Sequence, residues 1–395
     1  MRWFDKYLIY SSVFALFTED FSFYYIIDWK LFYVILLFNF VLFATKKKII
    51  ISKNIILIIS FLLIHGVIFI IWFQNPIKSL FAQLLGIIFC SIYYYNFFKE
   101  YGSKLVFEKY LELAFIVAIL AIPMFFLKIN IQTSNRLNGI LTEPAHYTAI
   151  MLPAAYCFLR KKNYFKLAVL VLTIFLAKST IGYFGLVLIL ILPLLKVKYF
   201  VKYSWIAIII LGTSVYYINN QWNKPINENE GNVLVRRLKE TNKSFNAIFT
   251  GKFERYTNLS SYAFLSNSFV ARKIFLDKPL GTGLGSYPYE YEKYYSLMSP
   301  PPYLLELKQS KINKTDANSL FLRMLADLGV IAIFIFLYFT LRSVNVFRND
   351  RKVFQQSSFF YLIVKLIREG HYFPPEFYFF LLIFLKDFNE DITHS

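Results

Sequence analysis

The sequence predicts an all-α polytopic membrane protein with about twelve transmembrane helices. One large outer-face loop, containing short amphipathic helices, is expected to interrupt them. Hydrophobic residues make up 57% of the 395 residues and charged residues only 17%. Mostly apolar runs of about 18 residues or more recur along the whole chain, which is typical of membrane helices because a helix satisfies its own backbone hydrogen bonds in lipid. Only residues 219–317 form a long polar and basic segment.

The candidate spans are judged against a usual length of about 20 residues. Their approximate limits are 7–18, 29–45, 54–73, 77–98, 109–127, 144–160, 164–178, 181–196, 199–218, 318–342, 353–368 and 375–386. The first and the last are short. A re-entrant hairpin is an alternative for 164–178 and 181–196, because so few residues join them. The N-terminus leads into an apolar stretch without a small-residue cleavage site, which predicts a retained first span and not a signal peptide.

Lys and Arg are distributed unequally between alternate loops. Every second loop is rich in them, as at 46–48, 160–162 and 348–352, whereas the intervening loops are much poorer. Cytoplasmic loops carry an excess of Lys and Arg, and long loops translocate largely regardless of charge. Both termini are therefore predicted to be cytoplasmic, with the long loop periplasmic or extracellular. The predicted organisation is N-terminal transmembrane helices at 1–218, the large loop at 219–317 and C-terminal transmembrane helices at 318–395.

The net charge of +19 does not indicate a nucleic-acid partner. Basic cytoplasmic loops facing anionic lipid explain it, and the sequence contains no RNA-binding signature, P-loop or zinc-ligand cluster. The two cysteines, Cys90 and Cys157, both lie within apolar spans and indicate neither a disulfide framework nor a metal site. We therefore expect no metal, no cofactor and no nucleic acid.

The long loop is typical of a folded functional element, because connectors of that length are uncommon. Apolar residues recur within it at helical spacing in two places: Leu234, Leu238, Phe245 and Ile248, then Leu259, Tyr262, Phe269 and Ile274. This periodicity predicts amphipathic helices lying near the membrane surface.

Two polar stretches precede the long loop. The first runs from Arg136 to Gly139 and continues to Glu143-Pro144 at the start of a span. Glu143 is either a functional carboxylate or a simple cap that favours the helix dipole. The second is the tight turn Lys178-Ser179-Thr180, for which an ordinary turn is the alternative.

Two further polar stretches lie at the end of the long loop. Gly281, Gly283 and Gly285 follow Arg272 and Lys273, and glycine amides beside cations suit a pyrophosphate. The alternative is a flexible turn. After Asp316 and Asn318, the residues Arg323 and Asp327 are four apart and share a helix face. Ionisable residues within a span are usually functional, although a structural ion pair is the alternative.

Charge suggests the class of ligand. Several basic side chains are predicted on the outer side, and the fork of Arg suits diphosphate oxygens. These side chains are Arg136, Lys178, Arg236, Arg237, Arg255 and Arg272. The natural partner is an anionic lipid head group in the outer leaflet.

Taken together, these stretches resemble the O-antigen polymerase and ligase superfamily. The resemblance rests on 277–285, Ala317-Asn318-Ser319 and 325–329, with Arg136, Gly139 and Glu143-Pro144 before them. The polymerase branch is described by an Arg followed by ten residues and a Gly, the spacing of Arg272 and Gly283. Ligases carry a His where this chain has Ala317, and usually an Arg in the turn at Lys178. Both departures favour a Wzy-type polymerase over a ligase.

The resemblance implies transfer of a glycan from undecaprenyl diphosphate to a second lipid-linked repeat unit, outside the bacterial cytoplasmic (inner) membrane. It implies no metal and no nucleotide sugar. Arg272 and Arg136 are candidates for contacting the diphosphate, and Glu143 and Asp316 for the base. The other candidate substrate-binding residues are Lys178, Arg255, Lys273, Gly281, Gly283, Gly285, Asn318, Arg323 and Asp327. Membrane lipids and a chain-length regulator are candidate partners.

Two alternatives remain open. One is an O-antigen ligase. The other is a lipid-linked oligosaccharide flippase or another transporter, which would also have about twelve spans with inward-facing charges. Flippases rarely carry a single loop of this size, and the chain shows no internal repeat of the kind expected in transporters.

Overall fold

The computed structural model describes residues 2–18, 21–25, 27–129, 135–141, 143–195 and 244–386. These residues form sixteen α-helices, one short 3-10 helix and one β-hairpin. The chain is thus helical, as the sequence predicts, and the predicted span 199–218 lies outside the described residues.

The helices in the first half of the chain are joined mostly by short connections. They are α1 Trp3–Ala15, α2 Leu31–Lys46, α3 Lys53–Trp72, α4 Ile77–Tyr101, α5 Ser103–Phe126, α6 Pro144–Arg160, α7 Tyr164–Leu176 and α8 Thr180–Ile191. The 3-10 helix Leu192–Leu195 follows α8. The hairpin strands β1 Ser22–Tyr25 and β2 Ile27–Lys30 precede α2 and pair antiparallel.

The described part of the second half begins with short helices and ends with long ones. They are α9 Ala247–Thr250, α10 Leu259–Asp277, α11 Tyr287–Tyr295, α12 Pro302–Glu306, α13 Leu320–Leu328, α14 Val330–Arg348, α15 Val353–Arg368 and α16 Pro375–Leu385.

Helices α6 and α15 form the centre of the bundle. α6 packs on α5, α7, α8 and α15, and α15 also contacts α13, α14 and α16. Most residues of both helices are buried. Gln356 of α15 keeps hydrogen-bond partners there: Tyr156 donates to Oε1 of Gln356 over 2.7 Å, and Nε2 of Gln356 donates to the carbonyl of Asn349 over 2.8 Å. These bonds offset the cost of burying an amide.

The apolar helices indicate a membrane-embedded protein. By length and composition, α3, α4 and α14 could each cross a membrane, and α2, α7, α8 and α16 are shorter apolar helices. Large apolar side chains such as Leu57, Leu85 and Leu341 point outward, as expected where a helix faces lipid. With three such helices among the described residues, the prediction of about twelve spans is not confirmed.

The predicted span 318–342 is not one helix. Gly329 has φ +60°, which ends α13 and starts α14 in a new direction. The amide of Val330 donates to the carbonyl of Pro279 over 2.8 Å, and a Cβ on Gly329 would lie 2.1 Å from that carbonyl oxygen. Arg323 and Asp327 therefore lie in a separate nine-residue helix and not inside the apolar span.

Loops that are predicted to lie on the same side of the membrane contact each other in the structure. At one end of the bundle, Nη2 of Arg160 lies 2.7 Å from Oδ1 of Asp350. At the other end, Nδ2 of Asn75 donates to Oε1 of Glu290 over 2.9 Å. We call the second end the loop end, because residues 244–317 lie there.

Residues 244–317 form a folded unit with its own small core. Phe269 and Ile274 of α10 pack with Tyr287, Tyr291 and other residues of this core, which extends to α13. Most of α10 is buried, including the predicted helical positions Tyr262, Phe269 and Ile274, so α10 is the centre of this unit. The predicted helical positions Leu234 and Leu238 lie outside the described residues.

A buried carboxylate attaches this unit to the bundle. The side chain of Glu290 is fully buried and contacts Lys278, Lys293 and Asn75, the last in the turn between α3 and α4. Burial by itself raises the pKa of Glu290, but the hydrogen bonds from these three side chains more than offset it and hold the pKa below its ordinary value. Glu290 therefore stays ionised at neutral pH.

Candidate functional site

Asp327 is the hydrogen-bonding centre of the loop end. It is fully buried and accepts four hydrogen bonds within the protein. The donors are the amides of Gly285 and Tyr287, at 2.8 and 2.9 Å, and the hydroxyls of Ser286 and Tyr372, at 3.1 and 3.0 Å. Asp327 thus connects the glycine run and the loop after α15 to α13.

The glycine run packs against the bundle. Gly281, Gly283 and Gly285 have φ values of +87°, +95° and +84°, which only glycine adopts readily. Their amides donate to the carbonyl of Lys278, the carbonyl of Asp327 and the carboxylate of Asp327. A Cβ on Gly281 would lie 2.5 Å from the carbonyl oxygen of Asp327. The glycines therefore allow close packing of backbone, and their amides are occupied, in contrast to the expected pyrophosphate cradle.

Arg323 forms the expected pair with Asp327, with Nε 3.8 Å from Oδ2. Its side chain is only 3% exposed. Nη1 donates to the carbonyl of Gly370 over 2.9 Å, and the guanidinium lies 4.7 Å from the ring centre of Tyr372. Arg323 therefore holds the loop between α15 and α16.

The segment before α13 has an unusual backbone. Ala317 and Asn318 both adopt left-handed φ values, +59° and +55°, which is uncommon for alanine. The amide of Asn318 donates to Oδ1 of Asp316 over 3.2 Å, and the hydroxyl of Ser319 donates to the carbonyl of Leu366 over 2.7 Å. Strained backbone of this kind occurs often at functional sites. Here it places Asp316 against the C-terminal end of α15.

Four ionisable side chains gather at this point. Nε2 of His371 lies 3.9 Å from Oδ2 of Asp316, and the His371 side chain is half exposed. The charge of Arg368, at the end of α15, interacts with both Glu143 and Asp316. Glu143 occupies the N-cap position of α6 and is exposed. We call Glu143, Asp316, Arg368 and His371 the His371 cluster; it combines a cation, two carboxylates and an imidazole at the loop end.

A buried ion network lies beside the His371 cluster. Lys365 contacts Glu369, and its Nζ lies 3.1 Å from Oε1 of Glu376. Nε2 of His146 lies 3.6 Å from Oε2 of Glu369. Because unpaired charges within a bundle are costly, this network fixes the end of α15 relative to α6 and α16.

The side chain of Arg136 contacts the backbone of Lys178. Nε and Nη2 of Arg136 donate to the carbonyls of Ala177 and Lys178, at 3.1 and 3.0 Å. Arg136 thus caps the C-terminal end of α7, where a cation also suits the helix dipole. The Lys178 side chain is exposed.

The predicted cations of the long loop lie elsewhere. The guanidinium of Arg272 is 5.0 Å from the ring centre of Phe249, and that of Arg255 is 5.8 Å from the ring centre of Tyr256. Within the described part of the chain, no hydrogen bond or ion pair joins Arg255, Arg272 or Lys273 to the His371 cluster. Arg236 and Arg237 lie outside the described residues.

Sequence reasoning missed Arg368 and His371. The signal was present, because Arg368-Glu369-Gly370-His371 is a polar run between two apolar stretches. The proximity of this run to Asp316 follows only from the packing of α13 on α15.

No curated protein sequence matches the chain. One family model matches residues 165–337, somewhat less than half of the chain. The matched region contains Asp316, Arg323, Asp327 and the glycine run, but not Glu143, Arg368 or His371. The match indicates a function of the O-antigen ligase and polymerase type, on lipid-linked glycans, and does not separate ligases from polymerases. In this region the chain is similar to the Wzy_C family, described as O-antigen ligase.

Proposed function

We propose that this protein is a polysaccharide polymerase that joins undecaprenyl-diphosphate-linked oligosaccharide repeat units, of an O-antigen or a capsule, on the outer face of the cytoplasmic membrane. The His371 cluster is the observation that supports this most. In it the charge of Arg368 interacts with the carboxylates of Glu143 and Asp316 at the loop end of a bundle of apolar helices. Such a site can hold a lipid head group while the lipid tail stays in the membrane.

The chemistry needs a cation and a base. The leaving group is a lipid diphosphate, and an arginine beside it stabilises the charge that develops as the sugar–phosphate bond breaks. Arg368 has the position for this role, and Arg272 and Arg136 remain proposed diphosphate contacts. Glu143 and Asp316 are the carboxylates that can assist the acceptor hydroxyl.

An O-antigen ligase is the second candidate, because the matching family carries that description. Ala317 stands where ligases carry a histidine, and it is buried with left-handed backbone. The absence of that histidine favours the polymerase. The two functions differ in the acceptor: a polymerase uses a second lipid-linked repeat unit, whereas a ligase uses a different lipid.

The purified full-length protein in proteoliposomes tests the proposal. With lipid-diphosphate-linked oligosaccharide as the only substrate, we expect a ladder of longer lipid-linked glycans. Product that forms only after lipid A–core is added would identify a ligase instead. Donor that crosses the bilayer with no new glycosidic bond would identify a flippase.

The proposed orientation has both termini inside and residues 219–317 outside. Lys161 and Lys308 are exposed at opposite ends of the bundle, and the natural Cys90 and Cys157 are buried. In spheroplasts, an impermeant maleimide is expected to label Lys308→Cys directly and Lys161→Cys only after permeabilisation. The reverse pattern would overturn the orientation.

A further inference from the structure

His371 is the imidazole of the His371 cluster and lies in the short connection between α15 and α16. Its side chain is half exposed, and its Nε2 atom faces the Asp316 carboxylate at 3.9 Å. This separation exceeds a hydrogen bond by about 1 Å, and catalytic contacts are often long without substrate. An imidazole oriented by a carboxylate on one side and accessible on the other is an arrangement suited to proton transfer.

Contacts on both sides of His371 fix its position. The residue before it, Gly370, packs so closely on Asp316 that a Cβ would lie 1.4 Å from the Asp316 carbonyl oxygen. The carbonyl of Gly370 accepts from Arg323, and the residue after it, Tyr372, donates to Asp327. The loop is thus attached to α13 at the two residues that flank His371, which leaves His371 little freedom to move away from Asp316.

We propose that His371 is the general base of the transfer reaction, with Asp316 as the group that orients it. This inference rests on the proposed function. With its Nε2–H directed at Asp316, the imidazole carries its lone pair on Nδ1 and accepts the proton of the acceptor hydroxyl there. The acceptor oxygen forms a bond to C1 of the donor sugar, and the bond between C1 and the phosphate oxygen breaks. The electron pair of that bond leaves with the lipid diphosphate, beside Arg368.

The charges around the imidazole determine the pH dependence. The charged groups that act on it come from the segment before α13, from α13, from the end of α15 and from β2: Asp316, Arg323, Glu369 and Lys30. Desolvation lowers the pKa of His371 below 6.5, the charges of Glu369 and Asp316 oppose this, and those of Arg323 and Lys30 add to it. The imidazole is then neutral at pH 7, as a base must be, and becomes protonated as the pH falls through its pKa.

The test is the pH dependence of glycan transfer in proteoliposomes. The wild-type rate is expected to fall at a pH below 6.5, the ordinary pKa of an imidazole, as the base becomes protonated. His371→Gln keeps a polar side chain without a basic nitrogen. We expect it to reduce the rate constant by about 100- to 10,000-fold, with little change in KM for the donor, and to remove the fall on the acid side.

His65→Gln is the matched control. His65 lies on α3 and its Nε2 contacts the carbonyl of Leu280 at 2.9 Å, a bond that a glutamine amide can replace. It is expected to keep the wild-type rate and pH profile. Asp316→Asn keeps the imidazole but loses the orienting charge, so its expected loss in rate is smaller than that of His371→Gln.

The outcomes distinguish a failure of the role of His371 from a failure of the proposed function. An active wild type with an equally active His371→Gln variant overturns the role of His371 alone. A slower His371→Gln variant that keeps the wild-type fall on the acid side also overturns it, since the residue would then only support the loop. A folded wild type that forms no glycosidic bond overturns the proposed function, and this inference with it.

Discussion

Replacement of Asp327 by alanine is expected to lower the free energy of unfolding by about 3–5 kcal/mol, the usual cost of breaking a buried charge pair. Arg323 would remain buried without its carboxylate, and four donors that now bind Asp327 would lose their acceptor. We expect little folded Asp327→Ala protein in the membrane. Thermal unfolding in detergent, together with the protein level, measures this effect.

Asp277→Ala is the matched control for that substitution. Asp277 is exposed and accepts one hydrogen bond, from Tyr294 over 2.8 Å. Loss of an exposed bond of this kind changes stability by about 1 kcal/mol or less. If the two variants melted at similar temperatures, Asp327 would not be the anchor of the loop end.

Replacement of Gly370 by alanine is expected to slow transfer by about 100-fold while leaving the helical bundle folded. The added Cβ would lie 1.4 Å from the carbonyl oxygen of Asp316, so the loop that carries His371 has to move away. A displacement of about 1 Å at a catalytic group reduces the rate by about 100-fold. The rate of glycan transfer per folded molecule is the measurement.

Gly66→Ala is the control for the effect of replacing a buried glycine by alanine. A Cβ on Gly66 would approach a methyl group of Leu80, the end of a flexible side chain that can move. Gly66 lies on α3, and its variant is expected to transfer glycan at the wild-type rate. Normal transfer by Gly370→Ala would show that the approach of the loop to Asp316 does not matter for activity.

The sequence was sufficient to predict the features that depend on local spacing. The four-residue separation of Arg323 and Asp327 predicts their pairing, and Glu143-Pro144 predicts the start of α6, as observed. The apolar runs predict the helices and approximate most of their limits. These features depend on residues that are neighbours in the chain or on one helix face, where periodicity carries the information.

Features that depend on distant residues could not be predicted in this way. The end of α13 at Gly329 was not predicted because apolar residues continue on both sides of it, although a glycine after a helix is a common stop signal. The glycine run has the composition of an anion site, but its contacts with Asp327 are made across the fold. His371 is 55 residues beyond Asp316, and only the packing of α13 against α15 brings them together.

The separation of Asp316 and His371 by α13, α14 and α15 also fixes the order in which the site is assembled during synthesis. A nascent chain emerges N-terminus first, so Glu143 and Asp316 are present long before Arg368 and His371. Until α15 has entered the membrane, Arg323 lacks the carbonyl of Gly370. The site is therefore completed only after α15 has been made, and a chain that stopped before residue 371 would contain every helix up to α15 and still lack the proposed base.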